Sequence, residues 1–359
     1  MKKFFKIFFL SIGVVLVLFI AFFFLVGKLD HDVMETKGFY ASSYKAGKAV
    51  LLPSLFINGE RFYIKIPTVN GDTVLGFGDS GGGVSMVMPA TIDKLGLQGK
   101  VKRALLKGLM PVKYIPFADI VKDEDIPAPV HTGAWVLRSP LSMVEEPFLF
   151  VPTMDNELKF LIRSMSLDIF LGQNFFMGKA WTFDYINRQV WLNTPIAASE
   201  VGKPGVQRIG FKKNKNGEKI FGHPSMYIEV NGELIEVLFD TGASIVLSDS
   251  GKVAFNTQEK TLGGSFIAKS IFDKWRKQHP EWKYYERADM SRDVIEVPSV
   301  KIGGYEVGPV LFAKRDDENW SEGMIQTMDR VVKGAIGGSA LKYLKVVIDY
   351  NAELIRFEK

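Results

Sequence analysis

Two tripeptides in this sequence, Asp79-Ser80-Gly81 and Asp240-Thr241-Gly242, have the residue types that acid–base chemistry needs. A lone Asp-Ser/Thr-Gly is usually a turn, and about 0.1–0.2 copies are expected by chance in a chain of this length. If folding brings the two carboxyl groups together, they cannot both ionise, so they hold one proton between them over a wide pH range. Such a pair can activate water with its ionised member and donate a proton from its neutral member.

The two tripeptides occupy equivalent places in a duplicated sequence. Val69-Asn70-Gly71 begins ten residues before Asp79, and Val230-Asn231-Gly232 begins ten residues before Asp240. An Asn-Gly pair followed by a short apolar run predicts a hairpin turn and a strand that leads into the Asp loop. Three later landmarks recur in the same order: Pro147–Phe150 with Pro309–Phe312, Leu171-Gly172 with Ile336-Gly337, and Asp184-Tyr185 with Asp349-Tyr350. This repeat predicts two similar lobes.

The elements around these landmarks are predicted to be mostly β, because short β-prone runs alternate with Gly, Asn and Pro in both halves. Helical periodicity predicts short helices at residues 90–95, 158–164, 265–277 and 339–343. We expect a first lobe over residues 50–195 and a second over 196–359, joined by a connection that begins near Asn193. Residues 28–49 are expected to be a linker or a pro-segment, and the sequence does not distinguish the two.

At these residues the chain resembles the pepsin-like and retropepsin-like aspartic proteases. The resemblance lies in Phe77–Gly81 and Phe239–Ser244, each paired with a later apolar-apolar-Gly, and it covers residues 50–195 and 205–359. It implies a two-lobed, pseudo-twofold acid-protease fold in which Asp79 and Asp240 are the catalytic pair. Two departures fall in the first lobe. Gly82-Gly83 stands where the family usually has Ala or Ser followed by Ser, and Gly78 replaces a larger apolar residue, which predicts looser packing around Asp79.

The resemblance also implies roles for the neighbours of the two aspartates. Ser80 and Thr241 would make hydroxyl–backbone hydrogen bonds across the lobes, although local turn bonding is the alternative. Gly81 and Gly242 would allow the tight backbone path, and Ser244 would support the second loop.

A flap hairpin that closes over bound peptide is a further expectation from the family. Tyr114, which lies 35 residues after Asp79, is our candidate for its aromatic residue, with Trp135 second. Either aromatic could instead be a core residue. Substrate would bind as an extended strand in the cleft, held by main-chain hydrogen bonds.

The N-terminus predicts a membrane anchor. Residues 7–26 are uncharged, follow Lys2, Lys3 and Lys6, and are long enough as a helix to cross ~30 Å of hydrocarbon. By the positive-inside rule, residues 1–27 form a cytoplasmic tip and a single-pass signal anchor, and the body after Lys28 is extracytoplasmic. A cleaved signal peptide is the alternative, but the apolar run exceeds the usual length of about 7–15 residues and no Ala-x-Ala site follows it.

Composition limits the other classes of function. The 359 residues include no cysteine and only four histidines, none at a metal-ligand spacing, so we expect no disulfide, no metal and no cofactor. The net charge of +5 comes with no long basic block, which argues against nucleic-acid binding. The expected partner is a peptide or protein substrate, and a monomer suffices because both lobes belong to one chain.

We therefore expect an extracytoplasmic, membrane-anchored aspartic endopeptidase. The alternative is a catalytically inactive protein of the same fold that binds peptides or partner proteins, since a fold does not guarantee a function. A β-rich structural or envelope protein with chance Asp-Gly turns is a third reading. The first two readings require the Asp79 and Asp240 carboxyl groups to lie within hydrogen-bonding reach of each other.

Overall fold

A computed structural model of the chain describes residues 17, 20–22, 25, 28, 39–41, 47–122, 124–139, 142–153 and 167–359. Most of the predicted anchor over residues 7–26, most of the predicted linker over 28–49 and the predicted helix over 158–164 lie outside these residues. Within the described residues, no helix is both long enough and apolar enough to span a bilayer. The anchor and the linker therefore stay predictions.

The described part of the chain is mostly β, as predicted, because runs of β-branched and aromatic residues alternate with turn residues. The strands of the first half, up to residue 195, are β1 Phe39–Ala41, β2 Val50–Leu52, β3 Ser54–Ile57, β4 Arg61–Pro67, β5 Thr73–Gly78, β6 Met86–Val87, β7 Lys102–Leu106, β8 Met110–Pro116, β9 His131–Thr132, β10 Leu137–Ser139, β11 Ser142–Met143, β12 Phe148–Val151, β13 Ile169–Leu171, β14 Ala180–Asp184 and β15 Gln189–Leu192. The strands of the second half are β16 Val206–Arg208, β17 Ser225–Val230, β18 Glu233–Phe239, β19 Ser244–Val246, β20 Thr261–Gly263, β21 Ser265–Ala268, β22 Tyr284–Asp289, β23 Arg292–Val297, β24 Val300–Ile302, β25 Tyr305–Val307, β26 Val310–Arg315, β27 Gly334–Ile336, β28 Lys345–Asp349 and β29 Leu354–Glu358.

Each of the two large sheets is built from one half of the chain. The ten-stranded sheet has the order β11-β10-β7-β8-β12-β6-β13-β5-β4-β3, and the nine-stranded sheet has the order β22-β23-β26-β21-β27-β18-β17-β24-β25. In the first sheet β13 lies between parallel β5 and antiparallel β6. In the second sheet β27 lies between parallel β18 and antiparallel β21. The strand that leads into each Asp loop is therefore held by an equivalent neighbour in both halves.

A six-stranded sheet of order β16-β29-β28-β14-β15-β2 joins the halves. At its centre β14 and β28 pair antiparallel, with Ala180 opposite Asp349 and Asp184 opposite Lys345. These two strands carry the repeated Asp-Tyr landmarks. Equivalent strands of the two halves are thus hydrogen-bonded to each other at the centre of this sheet.

The helices of the described chain are short, and one predicted helix begins later than expected. They are α1 Pro89–Leu95, α2 Gln173–Phe176, α3 Asp249–Ala254, α4 Lys269–Gln278 and α5 Gly338–Leu341. The helices predicted at residues 90–95 and 339–343 correspond to α1 and α5. The helix predicted at 265–277 is wrong over its first four residues, because Ser265–Ala268 pairs as β21 with both β26 and β27.

The halves differ directly after the Asp loops. The first half passes from Gly83 through two residues into β6, whereas the second half inserts β19, α3 and β20 before β21. The inserted strands pair with each other, Ser244 opposite Gly263. Residues 244–263 are therefore an insertion that the repeat register did not predict.

One hydrophobic core runs through both halves. Phe62, Phe183 and Phe239 are fully buried. The rings of Phe62 and Phe183 stack with centroids 5.1 Å apart, and those of Phe183 and Phe239 stack at 6.2 Å. Buried aromatic side chains each remove about 150–250 Å² from water, so this stack stabilises the junction of the halves at Phe239, the residue before Asp240.

Candidate active site

Each aspartate is held by the strand beside the one that leads into it. After β5, the Asp79 N–H donates to the Leu171 carbonyl at 2.9 Å, and after β18 the Asp240 N–H donates to the Ile336 carbonyl at 3.0 Å. The acceptors belong to the two repeated apolar-Gly landmarks. Each landmark strand therefore sets the position of one Asp loop.

The residues after the two aspartates interlock the loops. Ser80 Oγ donates to the Phe239 carbonyl at 3.0 Å and accepts from the Thr241 N–H at 3.0 Å. In the reciprocal pair, Thr241 Oγ1 donates to the Gly78 carbonyl at 3.0 Å and accepts from the Ser80 N–H at 3.1 Å. Both side chains are fully buried. These four hydrogen bonds run between the halves and not within either turn.

Gly81 and Gly242 each lie against the carboxyl group of the opposite aspartate. A Cβ atom on Gly81 would be 2.7 Å from both carboxyl oxygens of Asp240, and a Cβ atom on Gly242 would come closer than 3.0 Å to Asp79 Cγ. Real Cβ contacts are not made at such distances. The two carboxyl groups are therefore packed crosswise, each over the glycine of the other loop.

The two carboxyl groups share one electrostatic environment. Asp240 is 7% exposed, Asp79 is partly exposed, and their side chains hydrogen-bond to each other. Burial raises the pKa of Asp79 well above its ordinary value and the adjacent Asp240 raises it further, against the N–H groups of Gly82 and Gly81. Burial also raises the pKa of Asp240, although the bond from Asp79 and the N–H of Gly242 oppose this. The pair consequently binds one proton more tightly than an isolated carboxyl group does.

Two of the three glycines that depart from the family pattern, Gly78 and Gly82, are packed against aromatic rings, whereas a Cβ atom on Gly83 would meet nothing within 4 Å. A Cβ atom on Gly78 would come closer than 3.0 Å to the Phe62 ring, and one on Gly82 would do so to the Phe170 ring. The expectation of looser packing around Asp79 is therefore wrong, because these rings fill the space that larger side chains would take.

A buried arginine of the first half contacts the second loop. Ser244 Oγ donates to the Gly242 carbonyl at 2.8 Å, and Arg61 Nη1 lies 3.4 Å from Ser244 Oγ. Arg61 is 3% exposed and donates to Thr261 Oγ1 at 2.7 Å and to the Thr261 carbonyl at 3.0 Å. Burial lowers the pKa of its guanidinium, which nevertheless stays charged at neutral pH. Sequence reasoning missed Arg61, because a single Arg at the start of a strand carries no pattern.

Two serines behind the loops make matching hydrogen bonds that sequence reasoning also missed. The Gly172 N–H donates to Ser85 Oγ at 3.0 Å, and the Gly337 N–H donates to Ser265 Oγ at 3.1 Å. Each serine lies eight residues before an Asp-Lys pair, Asp93-Lys94 or Asp273-Lys274. That repeat was the available signal, but the insertion over residues 244–263 broke its register with the Asp loops.

A cavity of about 690 Å³ lies between the β7–β8 hairpin, the start of β6 and the end of β12. Its apolar lining includes Val84, Met86, Trp135 and Phe150. The Trp135 ring also packs at 6.3 Å on Phe221 of the second half. The cavity thus adjoins the segment that follows the Asp79 loop.

Tyr114 lies on β8 but is only 4% exposed. Its ring packs edge to face on Phe148 with centroids 5.4 Å apart, and burial raises its pKa. This placement corresponds to the core-aromatic alternative, whereas Trp135, the second candidate, lines the cavity. The flap residue stays a prediction. Within the described residues, no group of three or more His, Asp or Glu side chains is arranged to hold a metal ion.

No protein-family model matches the chain, and no curated protein matches it. Among solved structures it is similar to a retropepsin-like aspartic protease from Rickettsia conorii, with 21% identity and a TM-score of 0.25 over 42% of this chain and 90% of that one. It is also similar to conglutin gamma, a basic 7S globulin from lupine seeds, with 9% identity and a TM-score of 0.41 over 87% of this chain and 95% of that one. At these TM-scores neither likeness decides what the chain does, which has to be inferred from its own two loops.

Proposed function

We propose that this chain is an aspartic endopeptidase that hydrolyses peptide bonds with a water molecule activated by Asp79 and Asp240. The observation that supports this is the hydrogen-bonded pair of carboxyl groups at the junction of two interlocked loops. In addition, Asp79 Oδ1 is buried and has no hydrogen-bond partner within the described part of the chain. An acceptor oxygen beside a shared proton is suited to hold and polarise a water molecule.

In the proposed reaction the shared proton gives the two carboxyl groups opposite roles. The ionised group accepts a proton from water as the water oxygen attacks the carbonyl carbon, and the neutral group donates its proton to the carbonyl oxygen. The roles exchange when the amine leaves. Because the titration belongs to the pair, neither role is assigned to one aspartate.

The test is hydrolysis of fluorescein-labelled casein by the full-length protein in detergent micelles, from about pH 3 to about pH 8. Asp79→Asn and Asp240→Asn should each lower the rate by at least about a thousandfold, because each removes one of the two acid–base partners. The control is Asp72→Asn, an exposed aspartate in the turn before β5, which should keep the wild-type rate.

Two results would contradict the proposal in different ways. Cleavage that survives either Asp79→Asn or Asp240→Asn would exclude the assigned pair. If the wild-type protein binds casein but cleaves none of it at any pH, the inactive peptide-binding protein is the better description.

We also propose that residues 7–26 anchor the protein with its body on the extracytoplasmic side, on the basis of the uncharged run and the lysines before it. The protein should stay with the membrane pellet at alkaline pH, and a variant lacking residues 1–27 should be released. Protease added to the extracytoplasmic side of the membrane should reach the body. Recovery of the full-length protein in the alkaline supernatant would contradict the anchor.

A further inference from the structure

His223 is a buried residue of the second half that contacts the Asp79 loop of the first half. It is 4% exposed, with Nε2 2.9 Å from the Gly82 carbonyl oxygen and Nδ1 2.8 Å from Thr327 Oγ1. Burial lowers its pKa to about 4, so the ring is neutral near pH 7. Because a carbonyl only accepts, Nε2 carries the hydrogen, and in the neutral ring Nδ1 is left as an acceptor for the Thr327 hydroxyl. The Thr327 hydroxyl also lies 3.2 Å from the Met324 carbonyl oxygen, so its one hydrogen is shared between two acceptors, of which Nδ1 is the nearer.

Gly82 links this contact to Asp79. Its N–H donates to the Asp79 main-chain carbonyl at 3.2 Å and is one of the N–H groups that lower the pKa of the Asp79 carboxyl group. A Cβ atom on Gly82 would lie 2.9 Å from Asp79 Cγ. Any displacement of Gly82 therefore changes the surroundings of that carboxyl group directly.

The second half holds the equivalent carbonyl without a histidine. Ala243, the third residue after Asp240, accepts at its carbonyl from the Gly264 N–H at 2.9 Å. Gly264 follows the insertion over residues 244–263, which the first half lacks. The Gln173 N–H also points to the Gly82 carbonyl, but at the longer distance of 3.4 Å, and it lies closer, at 3.0 Å, to the Gly83 carbonyl. His223 thus donates to the Gly82 carbonyl, whereas in the second half the Gly264 N–H donates to the equivalent Ala243 carbonyl.

The position of His223 is equivalent to that of Arg61. Tyr63 pairs with the residue two before Asp79, and Ser225 pairs with the residue two before Asp240. Arg61 and His223 each lie two residues earlier, and each contacts the Asp loop of the opposite half. The contact is therefore a reciprocal feature of the duplicated fold.

We propose that His223 is a positioning residue that holds the Asp79 loop, through the Gly82 carbonyl, in the geometry the carboxyl pair requires. The proposal deepens the proposed proteolytic function and rests on it for its effect on rate. His223 acts through Gly82 and not on substrate, so its loss should lower kcat and leave KM nearly unchanged.

The test compares His223→Phe, which keeps a ring but has no donor, with His223→Gln, whose amide nitrogen can replace Nε2. On casein, His223→Phe should lower the apparent kcat about tenfold, with KM within about twofold, as expected for one lost hydrogen bond. His223→Gln should recover most of the rate. Amide hydrogen exchange in residues 82–85 should speed up about tenfold in His223→Phe, while residues 242–244 stay unchanged.

The exchange measurement keeps this proposal separate from the proteolytic one. If the wild-type protein cleaves no casein, the proposed proteolytic function is wrong. Faster exchange in residues 82–85 of His223→Phe would still support the positioning of the Asp79 loop by His223. If His223→Phe and His223→Gln have equal rates of casein hydrolysis and equal amide exchange in residues 82–85, the proposed role of His223 is wrong. If His223→Phe does not fold, Thr327→Val is the second test, because it removes the hydroxyl group beside Nδ1 of His223. Amide hydrogen exchange in residues 82–85 should then speed up about threefold. Unchanged exchange in this variant would overturn the proposal.

Discussion

Three glycines close to the aspartates are constrained to different degrees. A Cβ atom at Gly81 or Gly242 would meet the carboxyl group of the opposite aspartate, whereas one at Gly83 would meet nothing within 4 Å. None of the three has a left-handed φ. Gly81 and Gly242 are therefore required by contact between the halves, and Gly83 is not required at all.

This difference predicts the outcome of two matched substitutions. Gly242→Ala should lower casein hydrolysis by at least about a hundredfold, because the methyl group displaces the Asp79 carboxyl group and misplaces the reacting atoms. Gly83→Ala should stay within about threefold of the wild-type rate, since surface substitutions away from contacts have little effect. A Gly242→Ala variant that is folded by circular dichroism and fully active would contradict the crosswise packing.

The carboxyl pair also sets a pH dependence of stability. Burial raises the pKa of both Asp79 and Asp240 above their unfolded values near about 4, so the folded protein keeps a proton that the unfolded chain has lost. This contribution is complete below about pH 4 and is lost as the pH rises through the folded pKa. The Tm of the wild type should therefore fall relative to that of Asp79→Asn as the pH rises above about 4.

His223 contributes with the opposite sign, but both proteins contain it. Its pKa is lowered to about 4, so its contribution is complete above the unfolded pKa of about 6.5 and is lost as the pH falls toward 4. The contribution of His223 therefore cancels in the Tm difference between the wild type and Asp79→Asn. A difference that does not change with pH would mean that the pair holds no shared proton.

Among the elements, the start of β4 in the first half contacts the insertion of the second half. β4 begins with Arg61, whose guanidinium bonds to β20, and Glu60 just before it accepts from the Gly263 N–H at 2.8 Å and pairs with Lys342 at 2.9 Å. Buried hydrogen bonds thus connect the insertion of the second half to the first half. The two contacts with the insertion join residues 200 and 203 positions apart, and the Glu60–Lys342 pair joins residues 282 positions apart.

Arg61→Met should accordingly lower the free energy of unfolding by about 1–3 kcal/mol, because both Thr261 oxygens lose their buried donor. Arg103→Met, at an exposed position of β7, should stay within about 0.5 kcal/mol. Urea unfolding followed by tryptophan fluorescence measures both. A double-mutant cycle with Thr261→Val should show coupling, and additive effects would exclude the contact.

Considered as a whole molecule, the protein is joined by a shared sheet and a shared core. β14 and β28 pair along five residues each, and the Phe183 ring stacks on rings from both halves. The halves are in apolar contact at this stack, since all three of its rings are fully buried. The halves should therefore unfold together.

Phe183→Ala should lower the free energy of unfolding by about 3–5 kcal/mol, the usual cost of a large cavity in a core. Fluorescence and far-UV circular dichroism should report one coincident transition for this variant and for wild type. Phe255→Ala, in a smaller cluster of the second half alone, is the control and should cost less. Two separated transitions would show that the halves are independent.

The amino-acid sequence was sufficient to predict the mostly β class, the places of both Asp loops in the repeat and the strands beside them. These features are local, because turn residues, apolar runs and their spacing are read along the chain. The prediction erred at Ser265–Ala268, where helical periodicity was overridden by pairing with two neighbouring strands. It also erred at Gly78, whose missing side chain is replaced by the Phe62 ring from the adjacent strand.

Tertiary structure alone decided which residues hold the two loops against each other. His223 meets Gly82 across 141 positions of sequence and Arg61 meets Thr261 across 200. Arg61 is the first residue of β4 and His223 lies two residues before β17, and no local periodicity specifies what either residue contacts. Such pairs arise only when two separately patterned halves dock in one register, and that register is set by the shared sheet and core.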